Sequence, residues 1–148
     1  MELINVIMLT KAVVDELMER AENSDVIISV DIDDSVIMLV EQTLYLRLLI
    51  NLIDNAIKYN VPGGWVKVTH KIIYDTVSLS VEGCGIGITK ENLPKIWDKF
   101  FKANQSSINS SLGLGLSIVK WIAELHGGTF HVESNLDKGS LFEIRFRS

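Results

Sequence analysis

Four polar side chains recur along a largely apolar stretch, residues 42–60 (QTLYLRLLINLIDNAIKYN). Arg47, Asn51, Asn55 and Lys58 fall at i, i+4, i+8 and i+11, which places them on one stripe of an α-helix. Two carboxamides beside an ammonium group can hold a hydrated cation and an anion together, the two halves of a Mg-phosphate ligand. The same spacing also describes a helix with one solvated edge, and this stretch alone does not choose between them. A second candidate lies near the other end of the chain, where Gly113-Leu114-Gly115 runs straight into a helical pattern over residues 116–125. Small residues let backbone amides approach a ligand, and a helix N-terminus favours negative charge, so this is a plausible phosphate cradle. The polar, aperiodic segment 104–111 (NQSSINSS) just before it has the composition of a mobile lid. Residues 82–88 (EGCGIGI) form a glycine-rich turn whose glycines are explained by φ > 0 requirements without any ligand.

The elements that must position these groups follow from periodicity. Residues 42–60 lack Gly and Pro and are apolar on most of their circumference (Leu44, Leu48, Leu49, Leu52, Ile53 and Ile57 among others), as expected for a helix buried on most sides. Residues 4–22 read as a first helix burying Ile7, Val14, Leu17 and Met18. Residues 26–31 and 36–40 read as strands around the polar turn 33–35. Residues 65–74 and 76–81 alternate as two strands about a tight turn at Asp75. Thr89 can cap a short helix towards Trp97. The helix 116–125 keeps Ser117, Lys120 and Glu124 on its wet face and stops at Gly127. Residues 129–134 and 141–146 close the chain as a hairpin. This order predicts an α+β fold, a two-layer sandwich of a mixed β-sheet packed against helices.

At 148 residues the chain has the size of one domain, 1–148, with an ordinary balance of 47% apolar and 22% charged residues. No apolar run reaches membrane-spanning length and no signal-peptide pattern opens the sequence. One cysteine allows no internal disulfide, and no Cys/His spacing suggests zinc, which fits a reducing, cytoplasmic setting. A net charge of −5 argues against non-specific nucleic-acid binding and means that an anionic ligand needs local help.

Taken in order, the blocks NLIDNAIKYN, GCGIGI, IWDKFFKANQ and LGLGLSIVKWIAELHGG resemble the N box, the first glycine box, the phenylalanine-containing box and the second glycine box of the ATP-binding catalytic domain of sensor histidine kinases. That family is grouped with gyrase, MutL and the heat-shock chaperone ATPases, and the resemblance covers nearly the whole chain. It implies ATP and Mg²⁺ as cofactors and a protein-histidine kinase activity. Asn55 would coordinate Mg²⁺ with Asn51 in support, Lys58 would reach the phosphates, and Tyr59 would pack beside the adenine. Gly83, Gly85, Gly87 and Ile88 belong to the box that wraps the base. Phe100 and Phe101 would anchor the lid, and Lys102 stands where the family often has an Arg facing the phosphates. Gly113, Leu114, Gly115 and Leu116 would bind the phosphates through their amides. His126 of the HGG match is expected to close its helix rather than to act on the ligand.

Three departures from the family pattern bear on function. Gly83 occupies the place of the Asp that accepts the adenine amino group, and Glu82 beside it should point to the opposite face of its strand. Ser111-Leu112 replaces the usual Gly-Thr or Gly-Ser pair, and Cys84 falls at a variable position. In the gyrase and chaperone branches a Glu four residues before the Mg-binding Asn activates water. Here that position is Asn51, and an amide takes no proton at neutral pH, so transfer to another acceptor is favoured over hydrolysis. None of His70, His126 and His131 lies in a helical acceptor motif. The resemblance therefore implies partners outside this sequence: a dimerisation segment carrying the phosphoacceptor His, and a response regulator downstream. The isolated domain is expected to be a monomer, and any membrane anchor of the full-length protein is expected outside this domain. The alternative is a degenerate, non-catalytic regulatory domain in which Gly83 has weakened ATP binding.

Overall fold

The computed structural model describes residues 1–32, 36–85, 111–135 and 139–147. Its elements in chain order are β1 (Glu2–Asn5), α1 (Val6–Asn23), β2 (Val26–Ile32), β3 (Ile37–Val40), α2 (Gln42–Lys58), β4 (Gly64–Ile73), β5 (Thr76–Gly83), α3 (Ser111–Leu125), β6 (Thr129–Asn135) and β7 (Gly139–Arg147). The main sheet has the order β2-β4-β5-β7-β6, with β2 and β4 parallel and every other pair antiparallel. A second, two-stranded sheet pairs β1 with β3. This is the expected sandwich of a mixed sheet against helices.

Alternation along β4 explains the two layers. Val66, Val68 and His70 point into the core while Trp65, Lys67 and Lys71 face outward. Val77, Leu79 and Val81 of β5 and Ile144 and Phe146 of β7 continue the inner face. Against it α2 buries Tyr45, Leu48, Leu49, Leu52, Ile53 and Ile57, and α3 buries Leu116, Val119, Ile122 and Ala123.

Three expectations are corrected. Residues 4 and 5, expected to open the first helix, instead end the strand β1, because residues 2–5 pair with β3, and Asn5 then caps α1 by accepting from the Ile7 amide at 3.0 Å. The strands flanking residues 33–35 do not pair with each other: β2 joins β4 and β3 joins β1. Local alternation marks a strand but carries no information about its neighbour. Third, α3 begins at Ser111, so Gly113 and Gly115 lie within its first turns rather than ahead of it, and Ser111 is no part of a loop. The expected short helix after Thr89 and the remainder of the lid lie outside the described residues.

A polar cluster in the core escaped the sequence reading. Tyr45 Oη lies 3.2 Å from His70 Nε2 and 3.9 Å from Met38 Sδ, with both rings fully buried. Burial pushes the Tyr45 phenol up and drives His70 down from 6.5 to about 4. Between those two values the unfolded chain takes up a proton that the native chain refuses. Stability should therefore fall as pH drops through this window, by at most about 3 kcal/mol. Urea midpoints at pH 7 and pH 5 test this. His70→Gln, which keeps a partner for Tyr45 but does not titrate, should lose less between the two pH values than the native chain. Equal losses would remove His70 as the cause.

Candidate functional site

The polar stripe of α2 is real but not uniform. Arg47 is exposed and Asn51 half-buried, while Asn55 is only 8% exposed. The Nδ2 atoms of Asn51 and Asn55 and the hydroxyl of Tyr59 are buried with no hydrogen-bond partner among the described residues. Tyr59 is the C-cap residue of α2, so the three groups follow one another at i, i+4 and i+8 along one face. Buried amides and hydroxyls without partners are costly. With three in line among the described residues, α2 offers a surface suited to a polar ligand. Lys58 is half-buried, with its ammonium 3.1 Å from Asp54 Oδ2 on the same helix.

The C-terminal end of β5 approaches the C-terminal end of α2. A Cβ placed on Gly83 would lie 3.3 Å from Asn60 Nδ2 and 3.8 Å from the Ala56 methyl. A side chain at position 83 would thus point at the last turn of α2, and Glu82 is exposed on the other face of the strand, as alternation required. Gly85 is held by a different constraint. A Cβ there would come within 2.1 Å of the Tyr59 carbonyl oxygen, so the chain passes the helix end at a distance only glycine permits. Neither residue has a positive φ; among the described residues the glycines that do are Gly63, Gly127 and Gly139. The sequence expectation that φ > 0 explains the first glycine box therefore fails at Gly83 and Gly85. Close approach accounts for Gly85, and nothing in the backbone demands a glycine at 83.

Asn60, unremarked in the sequence, ties this corner together. Its amide donates to the Trp65 carbonyl at 2.9 Å and its oxygen accepts from the Val61 amide at 2.8 Å. Cys84 completes the corner, its sulfur accepting from the Trp65 amide at 3.1 Å.

The placement of α3 follows from His126. Its Nδ1 donates to the Ile122 carbonyl at 2.8 Å, closing the helix as expected, and its Nε2 accepts from the Glu41 amide at 3.1 Å. Glu41 is the N-cap of α2. The C-terminus of α3 is therefore pinned to the N-terminus of α2, and the two helices share a buried face. Fifteen residues of helix span about 22 Å, so the first turn of α3, with Gly113, Leu114 and Gly115, is carried toward the C-terminal half of α2, where Asn51 and Asn55 lie. The side chain of Leu116 is in the core at 2% exposure. Only the first four N–H groups of a helix lack intrahelical partners, and in α3 these run from Ser111 to Leu114, so the amides of Gly115 and Leu116 are not open donors. Gly87, Ile88, Phe100, Phe101 and Lys102 lie outside the described residues.

The donor set fits a Mg-nucleotide. Asn55 offers an amide oxygen of the hard, neutral kind that Mg²⁺ accepts, the α3 N-terminus and Lys58 offer positive potential, and Tyr59 offers a ring with a polar tip. Three or more His, Cys, Asp or Glu side chains able to hold a metal by themselves are not found together among the described residues. A cation here would thus share its coordination with phosphate oxygens and water.

Known proteins share the sequence boxes and the fold. A family model described as histidine kinase-, DNA gyrase B- and HSP90-like ATPase matches residues 40–148. The sensor histidine kinase YclK of Bacillus subtilis (strain 168) is 33% identical over 135 residues, covering 88% of this chain and 28% of its own. The sensor histidine kinase RppB of Synechocystis is 40% identical over 107 residues, covering 71% of this chain and 23% of its own. The chain thus spans under a third of the length of these relatives. Among solved structures, the catalytic domain of histidine kinase ThkA superposes with a TM-score of 0.84 at 27% identity, over 99% of this chain and 96% of that one. ThkA in complex with the response regulator TrrA superposes with a TM-score of 0.81 at 26% identity, over 99% of this chain and 41% of that one. With the boxes in order and the fold the same, the chain belongs to the histidine kinase-, DNA gyrase B- and HSP90-like ATPase family, as an ATP-binding catalytic domain of the sensor histidine kinase branch.

Proposed function

We propose that residues 1–148 form one catalytic unit that binds Mg-ATP between the polar face of α2, the end of β5 and the first turn of α3. The γ-phosphoryl group then passes to a histidine on a separate helical dimerisation segment, and a response regulator takes it up downstream. The observation that carries this reading is the row of buried groups on Asn51, Asn55 and Tyr59 that have no hydrogen-bond partner among the described residues. A complex of the similar kinase ThkA with its response regulator supports the partner class. Among the described residues no helix is long and apolar enough to cross a membrane. The domain is read as working in the cytoplasm, as a monomer when isolated.

Each role follows from position. Asn55 would hold Mg²⁺ through its amide oxygen with Asn51 in support, Lys58 and the open amides of the first turn of α3 would neutralise the phosphates, and Tyr59 would flank the base. Mg²⁺, when bound, would supply positive charge against the phosphate oxygens. Asn51 stands where a hydrolytic relative has its base, and an amide leaves water unactivated. Positioning and charge neutralisation are thus supplied while the nucleophile is not, so the acceptor must bring it.

The test is incubation of the full-length kinase with γ-labelled ATP and Mg²⁺. The expected product is an acid-labile, base-stable phosphoryl group on its dimerisation segment, with slow release of free phosphate from the isolated domain. Rapid phosphate release by the isolated domain with no label on the segment would make it a hydrolase instead.

A further inference from the structure

The side chain expected to reach the phosphates is already engaged. Lys58 Nζ lies 3.1 Å from Asp54 Oδ2, and the other Asp54 oxygen accepts from Arg20 Nη1 of α1. The Asp54 side chain is 16% exposed, against 23% for Lys58 and 52% for Arg20. Helix geometry sets the directions. At about 100° per residue, Lys58 projects between Asp54 on one side and Asn55 on the other. A modest rotamer change thus moves its ammonium from the Asp54 carboxylate towards a ligand on Asn55.

We propose that Asp54 and Arg20 are positioning residues that set how readily Lys58 is given up to phosphate. This rests on the reading of Lys58 as a phosphate contact. When Lys58 leaves, the mostly buried Asp54 carboxylate loses one of its two counter-charges, and a carboxylate stripped of partners in that position is costly. Arg20 remains on the opposite oxygen and covers the loss. Arg20 therefore lowers the cost of releasing Lys58, although it lies on a different helix and outside the polar stripe. Asp54 works the other way, competing with the ligand for the ammonium and adding a negative charge on that face of α2. The two residues should have opposite effects on nucleotide affinity, and the effect of Arg20 should exist only while Asp54 is charged. Both effects should also be confined to ligands that carry phosphate.

The experiment is calorimetric titration with ATP and with adenosine at one Mg²⁺ concentration and ionic strength. Arg20→Gln should weaken ATP binding and Asp54→Asn should tighten it, each by about threefold, the scale of a largely exposed ion pair. Adding Arg20→Gln to Asp54→Asn should change nothing further, Arg20→Lys should restore native affinity, and adenosine binding should stay constant throughout. If Arg20→Gln weakens ATP equally with and without Asp54, its charge acts on the ligand at long range and the proposal is overturned. If adenosine shifts with ATP, the network is structural and the proposal is again overturned. Lys58→Met separates this inference from its premise. An unchanged ratio of ATP to adenosine affinity in that variant removes Lys58 from the phosphates and the inference with it. A lowered ratio, with the two charge variants inert, overturns the inference alone.

Discussion

Gly83→Asp is expected to tighten ATP binding by at least about tenfold and to leave GTP binding nearly unchanged. The structure supplies the geometry for this. Position 83 ends β5, is half-buried, and directs a Cβ at the C-terminal end of α2, between the Ala56 methyl and the Asn60 side chain just beyond the helix. Its backbone has no positive φ, so an Asp is not strained there. The new Cβ would sit 3.3 Å from Asn60 Nδ2, and the Asn60 amide must give by a few tenths of an ångström, keeping the option of donating to the new carboxylate. A charged acceptor for the adenine amino group in a partly enclosed pocket is worth roughly 1.5–3 kcal/mol, or about one to two orders of magnitude in affinity. Guanine presents a carbonyl at the same place and gains nothing. Calorimetric titration of both proteins with both nucleotides under identical Mg²⁺ decides the matter. If the native chain already binds ATP at low micromolar affinity and discriminates against GTP, another group reads the adenine and the glycine is no lesion. If the native chain binds neither nucleotide and Gly83→Asp restores ATP binding, the native domain is the weakened form of an otherwise complete site.

Asn55→Ala should abolish Mg-dependent nucleotide binding while leaving the fold in place. The amide is buried, yet its Nδ2 has no partner among the described residues, so truncation breaks no bond of that nitrogen and strands no other donor or acceptor with it. Stability should change by no more than about 1 kcal/mol, read from a urea midpoint within error of native. Nucleotide affinity in Mg²⁺ should drop to the level that the native protein shows in EDTA. Unfolding of the variant would instead give Asn55 a structural duty, and unchanged Mg-dependence would move the cation elsewhere.

The candidate groups were legible in the sequence because they are written in local spacing. The stripe of Asn51, Asn55 and Lys58 needs only 3.6-residue periodicity to come together, and one strand's alternation was enough to send Glu82 and Gly83 to opposite faces. The ordered boxes then carried the family, and the order of elements carried the sandwich. Local reading failed where a second element decides the outcome. Residues 2–5 are a strand only because β3 is there to pair with them, and residues 26–32 and 37–40 separate into different sheets because each finds a distant partner. The need for glycine at 85 comes from the Tyr59 carbonyl, a backbone atom of another element, and no property of the turn itself announces it. Tyr45 and His70 form a buried pair across 25 positions, and Arg20 reaches Asp54 across 34. His126 looked like a helix stop and is also the pin that sets α3 against α2. Side-chain type and spacing fix which groups could bind a nucleotide, since they are properties of a single helix or turn. Which of those groups are left without partners, which are already engaged, and where a missing carboxylate would point depend on contacts that exist only after distant segments meet.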